Sequence, residues 1–330
     1  MKSRGAAIDH AEVDLFPQPD QSGQDPLPVE FVCPSCREVL VVDREGWYCK
    51  REDLRFSPDG GIPSFLLPRR KEALQKFLDA YKQIRKTEGW GGPGSCEELP
   101  YRDRGGKHRW IWSIRARTFD CFLSHLSQRF PNGHARLLDL GAGNCWLALR
   151  MAEREFTVVA LDINLDAYDG LGALSELPPS QRSGIELVQS EFDALPFARG
   201  TFDIAVFNAS LHYSADPLRT ISAAMGVLKD RGLLYVLDTP VYRSSDAGLA
   251  MVRERARSFQ KTFNIVLPEE FRGSFLTSAM LSQIERTYPT EILVPAYGIR
   301  WALRPVVARL LGRRDPASFM IVALQKDGHP

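Results

Sequence analysis

The stretch LLDLGAGNCWLALRMA, residues 137–152, decides the fold together with Asp162 in TVVALDIN, ten residues further on. Leu137 to Leu140 are apolar and end at a glycine, which predicts a short buried strand. Gly141-Ala142-Gly143 predicts a tight turn, and the apolar residues from Leu147 onward predict a helix. A glycine-rich turn between a strand and a helix lets a ligand approach the backbone N–H groups, where the helix dipole favours negative charge.

The next strand supplies a second ligand contact. Val158 to Leu161 read as a buried strand, and Asp162 at its carboxyl end can accept hydrogen bonds from a ribose diol. Dinucleotide sites with this geometry need Gly-x-Gly-x-x-Gly, and this sequence has Trp146 at the last position. An acid, Asp139, instead stands two residues before the first glycine. The pattern resembles motif I of the class I S-adenosylmethionine (SAM) methyltransferases, commonly D/E-x-G-x-G-x-G.

The resemblance, which points to the type 11 group, covers residues 136–330 and implies a doubly wound, seven-stranded α/β sheet. In that family the glycine turn holds the methionine end of SAM and the acid after strand 2 holds the ribose. A later segment, SEFDALPFARGTFD, matches the adenine-binding part of the family and places Glu191 at the amino group, with Asp193 as the alternative. The cofactor residues so implied are Asp139, Gly141, Ala142, Gly143, Asp162, Ile163, Glu191, Phe192 and Asn208. The third glycine of the motif is Cys145 here, and we expect it to tighten the pocket.

Length, composition and charge limit the classes of protein to which this chain can belong. The chain has 330 residues, 44% hydrophobic and 25% charged, enough for one large domain and a small one. A net charge of +1 gives no electrostatic reason to expect a dedicated nucleic-acid binder. No apolar run reaches the length of a membrane span, and the N-terminus lacks a signal pattern. Six scattered cysteines indicate a reducing compartment, so we expect a cytoplasmic protein.

The N-terminal part predicts a small metal module. Residues 1–29 carry few large apolar groups and predict a mobile tail. Residues 30–68 follow as a segment too small for its own hydrophobic core, so a metal would stabilise its fold. Cys33 and Cys36 form one knuckle and Cys49 begins a second. The fourth cysteine is missing, and Asp53 or Glu52 is the candidate fourth ligand of a structural Zn²⁺ ion.

This module resembles the zinc ribbon of the methyltransferase-activator subunits. There the second knuckle is followed by a tyrosine or phenylalanine and a Gly-Ile-Pro turn, which Phe56 and Gly61-Ile62-Pro63 match. A degenerate ribbon without metal is the alternative interpretation. In either case we expect a structural or protein-contacting role.

Residues 69–135 predict a helical cap and linker. Apolar residues at helical spacing between 71 and 86 predict a helix in which Tyr81 and Arg85, one turn apart, contact SAM from above. A second helix is predicted from Trp110 to Leu126. The Arg and Lys cluster of this stretch is interpreted as a solvated face, with part of an anion site as the alternative.

Strands and helices alternate from residue 136 onward, as a parallel sheet requires. Two connections, 239–288 and 296–317, are too long for simple crossovers and leave the carboxyl edge of the sheet, so we expect them to select the substrate. The second, GIRWALRPVVARLLGRR, predicts a lid helix with its apolar face packed on the core and a solvated arginine face. The alternative is a site for an anionic or membrane-associated substrate.

The sequence thus predicts a SAM-dependent methyltransferase that acts on a small-molecule or lipid-like acceptor by in-line displacement. His212 and Tyr213, after the fourth strand, are the best-placed general bases, and both serve equally well as wall residues. One alternative is a ribosomal or transfer RNA methyltransferase with an N-terminal zinc module. A second is a non-catalytic partner protein with the SAM-binding fold.

Overall fold

The structure, a computed structural model, describes residues 29–131, 133–271 and 273–327. The predicted tail, residues 1–29, lies outside the described residues except for Val29. The strands are β1 (Val41–Asp43), β2 (Gly46–Cys49), β3 (Leu54–Phe56), β4 (Arg136–Leu140), β5 (Thr157–Asp162), β6 (Ile185–Gln189), β7 (Phe202–Asn208), β8 (Leu228–Leu237), β9 (Val241–Tyr242), β10 (Leu276–Thr277), β11 (Thr290–Leu293) and β12 (Ile321–Gln325). The helices are α1 (Pro68–Glu88), α2 (Arg109–Arg129), α3 (Trp146–Ala152), α4 (Pro217–Val227), α5 (Ser245–Phe263), α6 (Ser278–Thr287), α7 (Ile299–Ala302) and α8 (Arg304–Leu310).

A seven-stranded sheet in the order β11-β12-β8-β7-β4-β5-β6 forms the centre of the molecule. β12 runs antiparallel to both its neighbours, and the pairs from β8 to β6 are all parallel. The strand interiors are apolar on both faces because helices cover both sides. The predicted doubly wound α/β sheet is therefore confirmed. The carboxyl ends of β4, β5, β7 and β8 meet at one edge, where such sheets bind ligands.

The ribbon-like segment packs directly on this sheet. Strands β1, β2 and β3 form an antiparallel sheet of their own, and Trp47 and Phe65 join the same apolar core as the strands of the large sheet. Gln189 at the end of β6 donates its backbone N–H to Pro63 O and accepts from Phe65 N, both at 2.8 Å. The segment therefore covers the β6 edge of the large sheet, which would otherwise expose unpaired backbone groups.

The two long connections differ in how they pack. The first contains α5, α6 and a separate two-stranded parallel sheet of β9 and β10, and an isolated bridge pairs Val241 with Ser318 before β12. The second holds two short helices, α7 and α8, because the chain turns at Leu303 and Pro305 opens the next helix. The apolar residues of this segment are solvent-exposed, so the predicted packing of its apolar face on the core is wrong. The exposed side chains are Ile299, Leu303, Val306, Val307, Leu310 and Leu311.

In the part of the chain that the structure describes, no α-helix combines the length and the hydrophobicity that crossing a bilayer requires.

Candidate active site

The turn after β4 has the geometry that glycine permits. Gly141 has φ +76°, and a Cβ there would lie 2.5 Å from Cβ of Ser210, so a larger residue would collide. Gly143 has φ +55°, and a Cβ there would meet no atom within 4 Å. The first glycine is therefore required by packing, and the second borders open space in which a ligand can approach the backbone.

Cys145 stands where the methyltransferase motif has its third glycine. It adopts a left-handed conformation with φ +63° and precedes α3 as its N-cap. Its thiol is fully buried among the apolar residues behind the turn and does not line the cavity beside the turn. The predicted tightening of the pocket by Cys145 is therefore wrong, because the backbone conformation directs its side chain into the core.

Two carboxyl groups lie close to the turn. Asp162 accepts hydrogen bonds from the backbone N–H groups of Gly143 and Asn164, each at 2.8 Å. Burial raises the pKa of Asp162 despite those two donors. Asp139 is buried at the end of β4, and neither carboxyl oxygen has a hydrogen-bond partner within the described ranges. Burial, followed by the charge of Asp162, raises the pKa of Asp139 to about 8.

A cavity of about 310 Å³ opens beside these groups, and we call it the turn cavity. It brings together residues predicted from distant parts of the sequence, with the glycine turn on one side and α1 on the other. Asp139 lies behind the turn and does not line it. The predicted residues that line it are Tyr81, Arg85, Gly141, Ala142, Gly143, Asp162, Ile163, Glu191, Phe192, Asn208, His212 and Tyr213.

Two lining residues have ion-pair partners that local sequence patterns do not reveal. Arg85 on α1 places Nε 2.5 Å from Oδ2 of Asp169. Glu191 is held by Arg70, whose Nη2 lies 2.9 Å from Oε1. Asp193, the alternative adenine contact, accepts a hydrogen bond from the Thr220 hydroxyl and also lines the turn cavity. Sequence reasoning identified Arg85, Glu191 and Asp193 but not the residues with which they pair.

The linker before α2 also reaches the turn cavity, which sequence reasoning missed. In the segment GWGGPG, Gly91 has φ +75°, and a Cβ there would lie 2.5 Å from the carbonyl oxygen of Tyr168. The glycines thus allow the linker to pack closely and contribute to the cavity wall. The clustering of glycines in GWGGPG was the sequence feature that could have indicated a closely packed linker.

A second cavity, of about 1200 Å³, adjoins the first, and we call it the arginine cavity. It lies between α2, α5 and the α7–α8 segment, and it shares His212 and Arg115 with the turn cavity. Its wall combines aromatic and aliphatic groups with guanidinium groups and with the carboxyl groups of Asp238 and Glu254. The apolar members include Trp110, Ile111, Ile114, Met251, Trp301, Val307, Leu311 and Phe319, and the cations are Arg115, Arg255, Arg300, Arg304, Arg313 and Arg314.

His212 lies at the junction of the two cavities. Burial, and then the charges of Arg255 and Arg115, lower the pKa of His212 to about 3. Its Nδ1 atom is buried and has no hydrogen-bond partner among the residues that the structure describes. A neutral imidazole of this kind can accept a hydrogen bond but holds a transferred proton poorly. Of the two roles considered for His212, general base and wall residue, this environment favours a wall residue that can accept a hydrogen bond.

Tyr213 lines only the turn cavity. Burial raises the pKa of Tyr213, but the charges of Arg255 and Arg85 outweigh it, so the pKa falls below its ordinary value. Arg255 places Nη2 3.5 Å from the Tyr213 hydroxyl. The positive charges of Arg255 and Arg85 would likewise lower the pKa of an acidic hydroxyl on a molecule bound beside Tyr213.

The favoured interpretation that the arginines of α2 are solvated does not hold for Arg115, which lines both cavities. Its guanidinium is half-buried, 4.8 Å from the ring centroid of Trp112 and 5.8 Å from that of Trp90. Asp238 at the far end of β8 acts on it electrostatically. The Trp112 and Arg115 spacing of three residues on one helix was the signal that could have identified this contact.

The three predicted thiols come together in the ribbon-like segment. The Sγ atoms of Cys33, Cys36 and Cys49 lie within 4.8 Å of one another. Tetrahedral zinc with Zn–S bonds of about 2.3 Å would need sulfur separations of roughly 3.8 Å, which this cluster can reach. The predicted fourth ligand is not part of it, since Asp53 accepts a hydrogen bond from the Tyr48 hydroxyl at 2.7 Å and Glu52 is exposed. Within the described residues the cluster therefore offers three ligands.

The comparison with protein families agrees with this geometry. Residues 138–236 match the family model described as "Methyltransferase domain". The matched range begins inside β4 and ends inside β8, so it contains the glycine turn, Asp162 and the junction residue His212. No curated protein matches the chain.

Several solved structures are similar to the chain at low identity. They include a 1,6-didemethyltoxoflavin-N1-methyltransferase from Burkholderia thailandensis with bound S-adenosylhomocysteine, 14% identical, TM-score 0.46, covering 79% of this chain and 91% of that one. A SAM-dependent methyltransferase from Methanosarcina mazei is 19% identical, TM-score 0.38, covering 59% and 93%. One from Mesorhizobium loti is 18% identical, TM-score 0.40, covering 59% and 92%. Likenesses of this extent say nothing about the substrate.

Proposed function

We propose that this SAM-dependent methyltransferase transfers its methyl group to a small, anionic, lipid-like molecule bound in the arginine cavity. The family match supports methyl transfer with SAM as the donor. The observation that carries the choice of acceptor is the arginine cavity itself, which meets the turn cavity at His212 and Arg115. Its combined apolar and cationic wall suits an amphiphilic anion.

The turn cavity fits SAM. The open space at Gly143 leaves room for the methionine end of SAM against the backbone. Asp162 would hold the ribose, and the Glu191 segment would hold the adenine, with Arg70 orienting the Glu191 carboxylate. When bound, SAM supplies a methyl group that its sulfonium has already activated.

The chain's own residues then position an acceptor that enters as an anion, its proton already lost to bulk water. Arg115 and Arg255 give the junction a positive potential, which stabilises an ionised oxygen there. Neutral His212 would accept a hydrogen bond from a separate O–H or N–H group of the acceptor and so orient the ionised oxygen toward the turn cavity. Alignment of the acceptor with the methyl group supplies most of the acceleration.

We further propose that Cys33, Cys36 and Cys49 hold a structural zinc ion. This proposal rests on the proximity of their Sγ atoms. Such thiolates need a reducing compartment, and we therefore place the enzyme in the cytoplasm. The metal would stabilise the segment that covers the β6 edge of the large sheet.

Charge reversal at the rim of the arginine cavity tests the acceptor proposal. Arg300 and Arg304 line the arginine cavity and not the turn cavity. Arg300→Glu with Arg304→Glu should weaken binding of an anionic aromatic probe, anilinonaphthalene sulfonate, by about tenfold or more, because each change replaces attraction with repulsion. Calorimetry should find SAM affinity changed by less than about threefold.

A charge-matched control separates this local effect from net charge. Arg44 and Arg51 are exposed in the ribbon-like segment and line neither cavity, so the pair Arg44→Glu and Arg51→Glu should leave both affinities unchanged. Equal loss of SAM and probe binding in the rim variant would place the α7–α8 segment in the cofactor site. Tight RNA binding that weakens steeply with salt would favour the nucleic-acid alternative instead.

A further inference from the structure

The α7–α8 segment presents an apolar surface to solvent. Leu310 is 81% exposed, Ile299 76% and Val306 54%, far above what a packed lid would show. Leu303 and Leu311 are exposed beside them, and Trp110 on α2 adds an exposed ring 5.8 Å from that of Trp301. We call this set the α7–α8 surface. Contiguous aliphatic groups of this kind on a folded protein mark an interaction site.

The same surface is strongly basic. Residues 299–314 contain five arginines and no aspartate or glutamate. Arg314 pairs with Glu254 at 2.8 Å, and Arg304 packs 3.7 Å from the ring centroid of Trp301. Arg300, Arg309 and Arg313 are exposed, and no carboxylate of the described chain comes within ion-pair distance of them. Their charge therefore remains available to an external anion.

The surface surrounds the mouth of the arginine cavity. Val307 and Leu311 contribute both to the exposed apolar set and to the cavity wall. Trp110 and Arg300 likewise line the cavity while remaining exposed. A molecule held at the α7–α8 surface could therefore enter the arginine cavity without crossing bulk water.

We propose that the α7–α8 surface binds an anionic lipid bilayer and that the acceptor enters the arginine cavity from that bilayer. Aliphatic groups enter the boundary of the acyl region while arginines contact anionic headgroups, and tryptophan is favoured at this depth. A symmetric contact with a second copy would bring like-charged arginine clusters together, which opposes self-association. RNA would leave the aliphatic groups without a partner.

Vesicle flotation of the full-length protein tests the proposal. The probes are vesicles of phosphatidylcholine alone and vesicles in which a third of the lipid is phosphatidylglycerol. We expect clear binding to the anionic vesicles and much weaker binding to the neutral ones, since each arginine near an anionic surface contributes about fivefold in affinity. Val306→Glu with Leu310→Glu should reduce binding to anionic vesicles by at least about tenfold.

Val41→Glu with Val42→Glu is the charge-matched control, because these valines of the ribbon-like segment are 41% and 46% exposed and lie outside both cavities. This control should bind vesicles as the unaltered protein does. The proposal is overturned if the unaltered protein ignores anionic vesicles, if the variant with Val306→Glu and Leu310→Glu binds them equally well, or if that variant instead converts a dimer into a monomer.

The proposal rests on the proposed function only in the role it gives the arginine cavity. Vesicle binding needs neither SAM nor an acceptor, so its failure leaves the SAM and probe affinities untouched. Circular dichroism and SAM calorimetry should show the variant with Val306→Glu and Leu310→Glu folded and able to bind SAM, because Val306 and Leu310 are exposed and line neither cavity.

Discussion

At the scale of single residues, Asp139 is a buried carboxyl group without a hydrogen-bond partner in the described chain. Its pKa is about 8 in the folded protein, against an ordinary value of 3.8. At a pH between these two values the Asp139 carboxyl is ionised in the unfolded chain but protonated in the folded protein. The stability associated with Asp139 is therefore full below about pH 4 and is lost as pH rises toward 8.

Asp139→Asn tests this linkage, because the amide does not titrate. The free energy of unfolding in urea should be measured at pH 5 and at pH 8 for both proteins. From pH 5 to pH 8 the difference should shift in favour of the variant by more than about 1.4 kcal/mol, the equivalent of one pKa unit. Asp230→Asn on β8 changes an exposed acid in the same way and should show no such gain. A difference between Asp139→Asn and the unaltered protein that stays constant with pH would contradict the assignment.

Residues near one another in sequence were the predictable part of the site. The spacing of Gly141, Gly143 and Asp162 follows from one strand-turn-helix-strand unit, and all three line the turn cavity. The Arg85–Asp169 and Arg70–Glu191 ion pairs join residues 84 and 121 positions apart. No local pattern encodes such pairs, because they depend on where α1 lies on the sheet.

At the scale of elements, the ribbon-like segment should depend on metal. Protein purified without chelator should carry about one zinc ion per chain, and Cys36→Ser should lose it, because one of three thiolates is removed. The ribbon should then open and thermal stability should fall, since Trp47 and Phe65 contribute to the shared core. Emission spectrometry of metal content is the measurement.

Cys121→Ser provides the matched control for the metal prediction. Cys121 is a half-buried free cysteine on α2, outside the thiol cluster, and its replacement should leave the metal content unchanged. Absence of zinc from the unaltered protein would contradict the zinc proposal and would mean that the ribbon-like segment packs on the sheet without a metal.

Elements differ in how much of their packing the sequence predicts. For α4, Asp216 and Pro217 predict the start, and the Asp216 side chain accepts the N–H of Arg219 at 3.2 Å. For α7–α8 the same kind of periodicity correctly located an apolar face. It could not say what covers that face, because periodicity describes one helix and packing needs two partners. That is why Val306 and Leu310, predicted to be buried, are exposed.

At the scale of the whole molecule, the order of elements predicted the sheet because each parallel strand needs a crossover of sufficient length. The contact between the ribbon-like segment and the β6 edge was not predictable. It depends on single backbone hydrogen bonds, such as that from Phe65 N to Gln189 O, which leave no compositional signature. The junction of the two cavities likewise depends on how α2 and α5 meet above the sheet.

Calorimetric titration of SAM into the protein and into Asp162→Ala tests the central claim most directly. We predict that the unaltered protein binds SAM and that the variant binds about 10- to 100-fold more weakly, the loss expected for charged hydrogen bonds worth about 1.5–3 kcal/mol. Asp166→Ala, which removes a nearby acid that pairs with Lys82 and lies outside the turn cavity, should bind normally. Unchanged SAM affinity in Asp162→Ala, or no binding by the unaltered protein, would contradict the assignment of the turn cavity as the SAM site.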